Sequence, residues 1–313
     1  MNLSTTVLFF FTDLICPMIV GYGLRRRDLF NAEAVDRLIV FSILAFEPIL
    51  GFLSFWRLHL DVRLAWLPIL GAVMNVTPSI LAFVRARYKY RDPLAQGGYV
   101  LATMLSNRGV VGTLTVFAIY GEIGYAVVTL LLLSSAPFLY SVGYAVAERF
   151  QRQHDRCRLP ERAHRTRFFT WKQLPLLGLA LGAVLNLGGV PRPAVAGELF
   201  PYLVHGSAWL SVVPVGYALE FTKIRAYWRQ SLDLLWIKFI LTPIVTYLLL
   251  MPLHLDHIAF NVALILAFAP TAINAVVTAR LFRLNIHITT TAFVLTTVAY
   301  LGIVLPCLLW WYR

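Results

Sequence analysis

The sequence predicts an all-α protein that crosses a membrane many times. Of its 313 residues, 59% are hydrophobic and only 13% are charged, which is too apolar for a chain that folds with a water-exposed surface. The apolar residues form long runs of the length that crosses the roughly 30 Å of hydrocarbon as a helix. The basic residues also gather in the connections on one side. Together these three observations predict a polytopic membrane protein.

Ten apolar runs are long enough to be transmembrane helices, and we number them spans 1 to 10. Their approximate bounds are 4–24, 34–55, 64–86, 95–118, 123–147, 173–190, 199–220, 231–253, 258–281 and 287–311. In this arrangement 21 of the 27 Lys and Arg residues fall on one side, as they do in cytoplasmic loops. We therefore predict a plasma-membrane protein, in the inner membrane if bacterial, with both termini outside the cytoplasm. The same bias accounts for the formal net charge of +12, so no nucleic-acid partner is expected.

The connection 149–172 divides the spans into two sets of five. It contains eight basic residues, and we expect a cytoplasmic linker between the halves 1–148 and 173–313. Because five is odd, the two halves enter the membrane in opposite orientations, which is the inverted-repeat arrangement of many secondary transporters.

A pair of small residues in span 6 predicts a close helix contact. Gly178 and Gly182 are four residues apart and therefore lie on one face of the helix. Small residues at this spacing allow a neighbouring helix to approach closely in a membrane.

Two spans are interrupted by residues that are unfavourable in lipid. Span 4 contains Asn107, Arg108 and Gly109 near its middle, and span 9 contains the stretch Ala269–Asn274, in which Pro270 removes a backbone donor. Broken helices at membrane depth occur where they are buried in protein or line a cavity. We therefore predict that spans 4 and 9 are broken and that the breaks form a transport site.

The breaks supply the candidate substrate-binding residues. Broken helices present unpaired amides and positive dipole ends, which suit an anion. The candidates are Asn107, Arg108, Gly109, Pro270, Thr271 and Asn274. The two asparagines either bind a carboxylate or cap the broken helices. Arg108 either holds a carboxylate in a bidentate fork, or neutralises Glu47 or Asp13, or extends to solvent.

Four other polar residues within spans are candidates for ion or proton coupling: Asn75, Lys238, Asp13 and Glu47. The two carboxylates either carry protons or form structural or dimer contacts. The lysine either supplies positive charge in place of a bound sodium ion or extends to the cytoplasmic face. No cofactor, metal site or enzymatic centre is expected, because the sequence offers neither a metal-ligand spacing nor a nucleophile with its base.

Several sequence pieces together resemble the auxin efflux carrier family in its prokaryotic form. They are Gly21-Tyr22-Gly23-Leu24-Arg25-Arg26-Arg27 followed by Ala34-Val35-Asp36-Arg37-Leu38, Asn107-Arg108-Gly109 with Gly112, Tyr120-Gly121-Glu122-Ile123-Gly124, Lys238 with Pro243, and Ala269-Pro270 with Asn274-Ala275 and Ala279-Arg280. The resemblance covers nearly the whole chain. It departs at Thr113–Thr115, where the family often has a proline, and at Glu47, where it usually has an aliphatic residue.

The resemblance implies a bile-acid-symporter-like fold in which spans 4 and 9 cross. It also implies a scaffold of spans 1, 2, 6 and 7, a transport part of spans 3–5 and 8–10 that moves like an elevator, and a homodimer. Family substrates are small organic anions, such as auxin-like acids or dicarboxylates. We therefore predict a secondary transporter of such anions, driven by protons, by sodium or by the substrate gradient alone. The alternative is a membrane sensor that keeps the carrier fold and binds its ligand without transport.

Overall fold

The protein is helical throughout the part of the chain that is described. The computed structural model describes residues 8–59, 61–154, 174–219 and 224–312, and within these ranges it contains helices and one isolated antiparallel bridge between Ser106 and Thr271. The predicted all-α class is therefore confirmed. The predicted linker 149–172 lies outside the described residues from position 155 onward.

The α-helices are numbered in chain order. They are α1 Cys16–Arg26, α2 Ala32–Phe41, α3 Glu47–Arg57, α4 Leu67–Lys89, α5 Pro93–Met104, α6 Thr113–Leu132, α7 Ser135–Phe138, α8 Tyr144–His154, α9 Leu174–Leu187, α10 Ala194–Tyr217, α11 Ile224–Ser231, α12 Asp233–Trp236, α13 Thr242–Leu250, α14 His257–Ala267, α15 Ile273–Leu281, α16 Ile286–Ala299 and α17 Leu305–Trp311. Short 3₁₀ segments occur at Val62–Trp66 and Met251–Leu253.

Several helices contain a π turn that ends just before a proline. These turns are Phe11–Ile15 before Pro17, Ser42–Phe46 before Pro48, Ile237–Leu241 before Pro243 and Tyr300–Val304 before Pro306. A proline has no N–H, and its ring excludes the carbonyl four residues earlier, so the preceding turn widens. In the first case the N–H of Cys16 donates to the carbonyl of Phe11, five residues back. Two further π turns lie at Arg108–Gly112 and Leu139–Gly143.

Six continuous helical segments within the described ranges are long and apolar enough to cross a membrane. They are Leu8–Arg26, Val62–Lys89, Arg108–His154, Ala194–Tyr217, Asp233–Leu253 and Ile286–Trp311. In Arg108–His154, Gly121 interrupts the helix with φ 62° and ψ −145°, a conformation that glycine adopts readily, and this is where we expected spans 4 and 5 to be connected. Span 6 is predicted over 173–190, but its helix α9 has 14 residues, fewer than the ~20 of a typical crossing. The ten-span count and the inverted repeat remain predictions.

The contacts divide the chain into two compact units. Unit 1 comprises Met1–Val62, Thr113–Thr129 and Arg167–Leu219, and unit 2 comprises Arg63–Gly112, Leu130–Thr166 and Glu220–Arg313. Each half of the sequence therefore contributes to both units.

Within unit 1, α9 packs closely against α3, as the small-residue spacing predicts. A side chain at Gly178 would overlap the carbonyl oxygen of Pro48, and one at Gly182 would overlap that of Phe52. The predicted close contact is therefore confirmed. Helix α10 packs in the same unit against α1.

Within unit 2, α5 forms the centre of the core. Every residue from Gly97 to Met104 is buried, and the helix is packed against α4, α8, α15 and α16. A helix that is apolar on all sides is stable only when it is covered on all sides. This places the end of α5, where span 4 is interrupted, inside the protein.

Candidate substrate site at two interrupted helices

The first interruption follows α5. The helix begins at the N-cap Asp92, whose carboxylate accepts from the amides of Leu94 and Ala95 at 3.2 Å each, and it ends at Met104. Leu105 is extended, with φ −91° and ψ 114°, and the next helical turn begins at Arg108. The intervening serine and asparagine favour such non-helical positions because their side chains compete for backbone hydrogen bonds.

The second interruption follows α14. This helix ends at Ala267, and its last turn tightens, since the amide of Phe268 donates to the carbonyl of Ile265 at 3.1 Å. Pro270 cannot donate a hydrogen bond and disfavours helix in the residue before it. The helix resumes at Ile273 after an extended N-cap residue, Ala272, with ψ 149°. Both interruptions predicted from the sequence are therefore present.

The two interruptions bind each other through their backbones. The amide of Asn107 donates to the carbonyl of Pro270 at 2.7 Å, and the amide of Ala272 donates to the carbonyl of Leu105 at 2.9 Å. The hydroxyl of Thr271 donates to the carbonyl of Ala102 at 2.9 Å. Peptide groups freed by the two breaks thus satisfy one another inside the protein, as the apolar setting requires. We call residues 105–108 and 269–272, with these bonds, the junction.

Arg108 is buried and is held by α4. Its Nη1 donates to Oδ1 of Asn75 at 2.8 Å, and its Nη2 donates to the carbonyl of Met74 at 2.7 Å. That carbonyl is available because Pro78, four residues later, has no N–H to donate to it. The side chain of Arg108 is only 3% exposed, so the alternative that it extends to solvent is wrong.

Lys238 is a second buried cation at the junction. Its Nζ donates to Oγ of Ser106 at 2.9 Å and to the carbonyl of Leu105 at 3.4 Å. The lysine is 1% exposed, so the alternative that it extends to the cytoplasmic face is wrong. Its charge lies at the C-terminal end of α5, where the helix dipole is negative. Arg108 and Lys238 therefore place two buried basic side chains beside the first interruption.

The remaining predicted binding residues differ in exposure. Asn107 is 5% exposed, and its Nδ2 has no hydrogen-bond partner among the described residues. Gly109 and Asn274 are exposed, and the side chain of Asn274 makes no hydrogen bond within the described ranges. Asn274 is the second residue of α15, whose N-cap is Ala272, so it does not cap that helix. Pro270 and Thr271 are buried in the backbone contacts of the junction.

The other two predicted coupling residues belong to unit 1 and have partners within it. Oδ2 of Asp13 lies 2.6 Å from Nδ1 of His205. Glu47 accepts from the hydroxyl of Tyr125 at 3.1 Å and from that of Ser207 at 3.4 Å. These partners were not predicted from the sequence, although His205 and Ser207 were visible as polar residues within span 7.

One further contact at the junction was not predicted. The amide of Thr271 donates to Oγ1 of Thr296 in α16 at 3.0 Å. A threonine inside an apolar helix usually donates to the carbonyl a turn back, and Thr296 does so at Ala292. Its lone pairs remain free to accept from a second helix, and that second partner depends on packing that the sequence alone does not show.

Two interrupted helices that meet inside an all-helical, membrane-spanning chain are typical of membrane transport proteins. The chain matches the family model described as "Membrane transport protein" over residues 7–311. It therefore belongs to this family, the auxin efflux carrier family, which consists of transporters rather than enzymes. The chain is also similar to an uncharacterized transporter of Methanothermobacter thermautotrophicus, with 23% identity over 307 residues that cover 95% of each chain. The resemblance predicted from the sequence pieces is confirmed.

Proposed function

We propose that this membrane protein is a secondary transporter of small organic anions, namely carboxylates such as auxin-like acids or dicarboxylates, and that the junction binds the anion. The observation that carries the proposal is the burial of Lys238 against two neutral oxygens, those of Ser106 and Leu105. A buried ammonium without a carboxylate partner is electrostatically incomplete, and a carboxylate ligand would complete it. Arg108, held on the same side of the junction, adds a second positive charge.

The backbone supports the same ligand class. Helical segments begin at Arg108 and at Ile273, and the first-turn amides of a helix have no partner within that helix. Exposed Gly109 leaves the first of these segments approachable, since it has no side chain. The Nδ2 of Asn107, which has no partner among the described residues, and the exposed amide of Asn274 are donors of the kind that a carboxylate accepts from. The proposed site thus combines dipole ends, two cations and two side-chain amides.

The proposed mechanism is alternating access of the elevator type. In this proposal ten spans form two inverted repeats, spans 1, 2, 6 and 7 form the scaffold, and spans 3–5 and 8–10 carry the substrate. The division of contacts into two units, each drawing on both halves of the sequence, supports such an arrangement. The proposal includes a homodimer in the plasma membrane, with both termini outside the cytoplasm and with proton, sodium or no coupling.

The test is transport of a panel of labelled carboxylates by the purified protein in proteoliposomes, with proton and sodium gradients imposed separately. Flux of at least one carboxylate is expected, and Arg108→Gln is expected to abolish it. Asn274→Ala is expected to weaken the apparent affinity. The matched control is Arg152→Gln, because Arg152 is exposed and, among the described residues, pairs only with Glu148 at i,i+4.

Two results would contradict the proposal. Flux that is unchanged in both Arg108→Gln and Asn274→Ala would remove the junction as the binding site. Binding of a carboxylate without flux under any gradient would favour a sensor that keeps the carrier fold.

A further inference from the structure

The proposed anion site does not use the carboxylate–imidazole contact of unit 1. Oδ2 of Asp13 and Nδ1 of His205 are 2.6 Å apart, and the hydroxyl of Thr12 donates to the same carboxylate oxygen at 3.0 Å. The side chains of Asp13 and His205 are within hydrogen-bonding distance, and they form an ion pair when the imidazole is protonated. The contact joins the first candidate span, Leu8–Arg26, to the helix α10.

The pair lies within two membrane-crossing helices. His205 is near the middle of the 24-residue helix α10, and Asp13 lies in the π turn Phe11–Ile15. π turns inside helices are frequent at functional sites. Ionisable residues inside a membrane span are rare and commonly serve in ion or proton movement. The position of the pair therefore favours a function beyond packing.

The two side chains differ in exposure in a way that suits proton uptake. The carboxylate of Asp13 is 2% exposed, whereas the side chain of His205 is 45% exposed. The other side of the imidazole packs against the ring of Phe9, at 5.4 Å between centroids. The imidazole of His205 is therefore open to the surroundings of the chain, and the enclosed carboxylate of Asp13 faces the imidazolium that forms when a proton binds.

No other charged group contacts the pair among the described residues. The elements packed against α10 include α1, α2, α3, the two π turns before Pro17 and Pro48, and α6, whose Phe117 and Tyr125 rings lie 6.0 Å and 5.5 Å from that of Phe200. The ionisable residues of these elements and of α10 whose side chains the structure describes, apart from the pair itself, are Cys16, Tyr22, Arg25, Arg26, Glu33, Arg37, Glu47, Arg57, Tyr120, Glu122, Tyr125, Glu198, Tyr202 and Tyr217. Within the described ranges none of these bonds to Asp13 or His205, and Arg25 instead donates to the carbonyl of Tyr217 at 3.2 Å.

The second carboxylate of unit 1 provides the contrast. Glu47 is bound by two hydroxyls, those of Tyr125 and Ser207, and neither is a base that exchanges protons near neutral pH. An imidazole is such a base. Of the two carboxylates, the one on His205 is therefore the better proton site.

Resting on the transport function proposed above, we propose that Asp13 and His205 form one proton-binding site that couples proton movement to anion movement. The proton passes from water to the imidazole of His205 and is held there by the carboxylate of Asp13. No covalent bond other than the N–H forms or breaks. Release reverses these steps when movement of the transport part opens a path for water from the pair to the other compartment.

The first test measures proton binding in the absence of substrate. Histidine nitrogen resonances of the full-length protein in nanodiscs are recorded against pH, and His205→Gln identifies the signal among the seven histidines. The His205 signal is expected to change across a scan from about pH 5 to 8, the range in which imidazoles exchange protons. Asp13→Asn is expected to move the midpoint of that change, because the imidazolium loses the carboxylate that faces it. Asp13→Glu and the control Glu47→Gln are expected to leave the titration in place.

Either of two results overturns the proton site. One is a His205 signal that does not change over this pH range. The other is a midpoint that is the same in Asp13→Asn as in the unmodified protein. The first result needs only the unmodified protein and the assignment, so it stands even if Asp13→Asn fails to fold.

The second test measures the coupling of proton and anion movement, with the labelled carboxylate that the unmodified protein transports. Asp13→Asn and His205→Gln are expected to keep carboxylate flux down its own gradient and to lose the stimulation of that flux by an imposed pH gradient. Glu47→Gln is expected to keep both the flux and its stimulation. Stimulation that persists in both variants would overturn the coupling. A protein that moves no carboxylate at all would overturn the transport function and the coupling with it, while the titration would still decide whether the pair binds a proton.

Discussion

The junction in unit 2 and the polar contacts of unit 1 bury charges of opposite sign. At the junction the buried groups are cations, Arg108 and Lys238, bonded to neutral oxygens. In unit 1 they are carboxylates, Asp13 and Glu47, bonded to an imidazole and to hydroxyls. Buried basic side chains attract an anion, whereas a carboxylate beside an imidazole attracts a proton. The contrast assigns different ligands to the two regions.

The two regions also stabilise their polar groups differently. At the junction the backbone is interrupted, and the freed peptide groups bind one another across the two breaks. In unit 1 the helices continue through π turns, and side chains such as Ser42 and Ser211, 3.0 Å apart, bond between helices. An interruption leaves helix ends available to a ligand, and a continuous helix does not. The following predictions test this contrast, beginning with the largest expected effect.

Removing the charge of Lys238 is expected to affect transport most strongly among these tests. Lys238→Met should reduce carboxylate flux in proteoliposomes by about 10- to 150-fold, since a hydrogen bond to a charged group contributes about 1.5–3 kcal/mol. Its thermal unfolding temperature should stay the same or rise, because a buried charge has been replaced by an apolar side chain. The control is Lys89→Met, which separates a lysine from its partner Asp233 at 2.6 Å. Equal flux in Lys238→Met and in the unmodified protein would show that Lys238 does not contribute to binding of the carboxylate.

Removing a bond across the junction is expected to affect stability. Thr271→Val deletes the donor to the carbonyl of Ala102, and an unsatisfied buried acceptor lowers the free energy of unfolding by about 1–3 kcal/mol. Thr77→Val is the matched control, because the hydroxyl of Thr77 donates to the carbonyl of Val73 within its own helix. Thermal unfolding of both variants in detergent measures the difference. If both substitutions lower the stability equally, the bond across the junction contributes no more to stability than a bond within one helix.

Restoring a backbone donor in α4 is expected to weaken the hydrogen bond between Arg108 and the carbonyl of Met74. Pro78→Ala provides an N–H that competes for the carbonyl of Met74, so flux should fall by about two- to tenfold, corresponding to a hydrogen bond of about 0.5–1.5 kcal/mol. Pro214→Ala in α10 of unit 1 is the control. Kinetics of labelled carboxylate uptake make the comparison. Unchanged uptake in Pro78→Ala would show that this carbonyl does not position Arg108.

The smallest effect on anion binding is expected in unit 1. Glu47→Gln retains an acceptor for the hydroxyls of Tyr125 and Ser207, so the apparent affinity for the carboxylate should not change. Concentration-dependent uptake measures this affinity. A loss comparable with that of Lys238→Met would remove the distinction between the two regions.

The interruptions were predictable because their causes are local. Asn107 and Gly109 in one span and Pro270 in the other are unfavourable in a helix whatever surrounds them. The prolines in the first turn of α1, α3, α13 and α17 were equally visible in the sequence. Whether a proline ends a helix or only widens the preceding turn depends on the neighbours that satisfy the freed carbonyl. Local composition therefore located the breaks but not the π turns.

The partners of the site residues were not predictable, because they come from distant parts of the chain. Asp13 and His205 are 192 positions apart, and Lys238 and Ser106 are 132 apart. Pro78 indicated a free carbonyl at Met74, but only packing shows that Arg108 takes it. A single sequence supplies the donors and acceptors, and the fold decides which of them meet.

The central claim is that the anion binds at the junction, and substrate protection of Asn274 tests it most directly. Asn274→Cys is made in a background in which Cys16, Cys157 and Cys307 are replaced by serine, and its alkylation by a maleimide is timed with and without the transported carboxylate. Gln153→Cys, an exposed position on α8, is the control. Binding at the junction predicts that the carboxylate slows alkylation of the Asn274→Cys variant severalfold and leaves the control unchanged. Equal rates with and without the carboxylate, in a protein that still transports it, would contradict the claim.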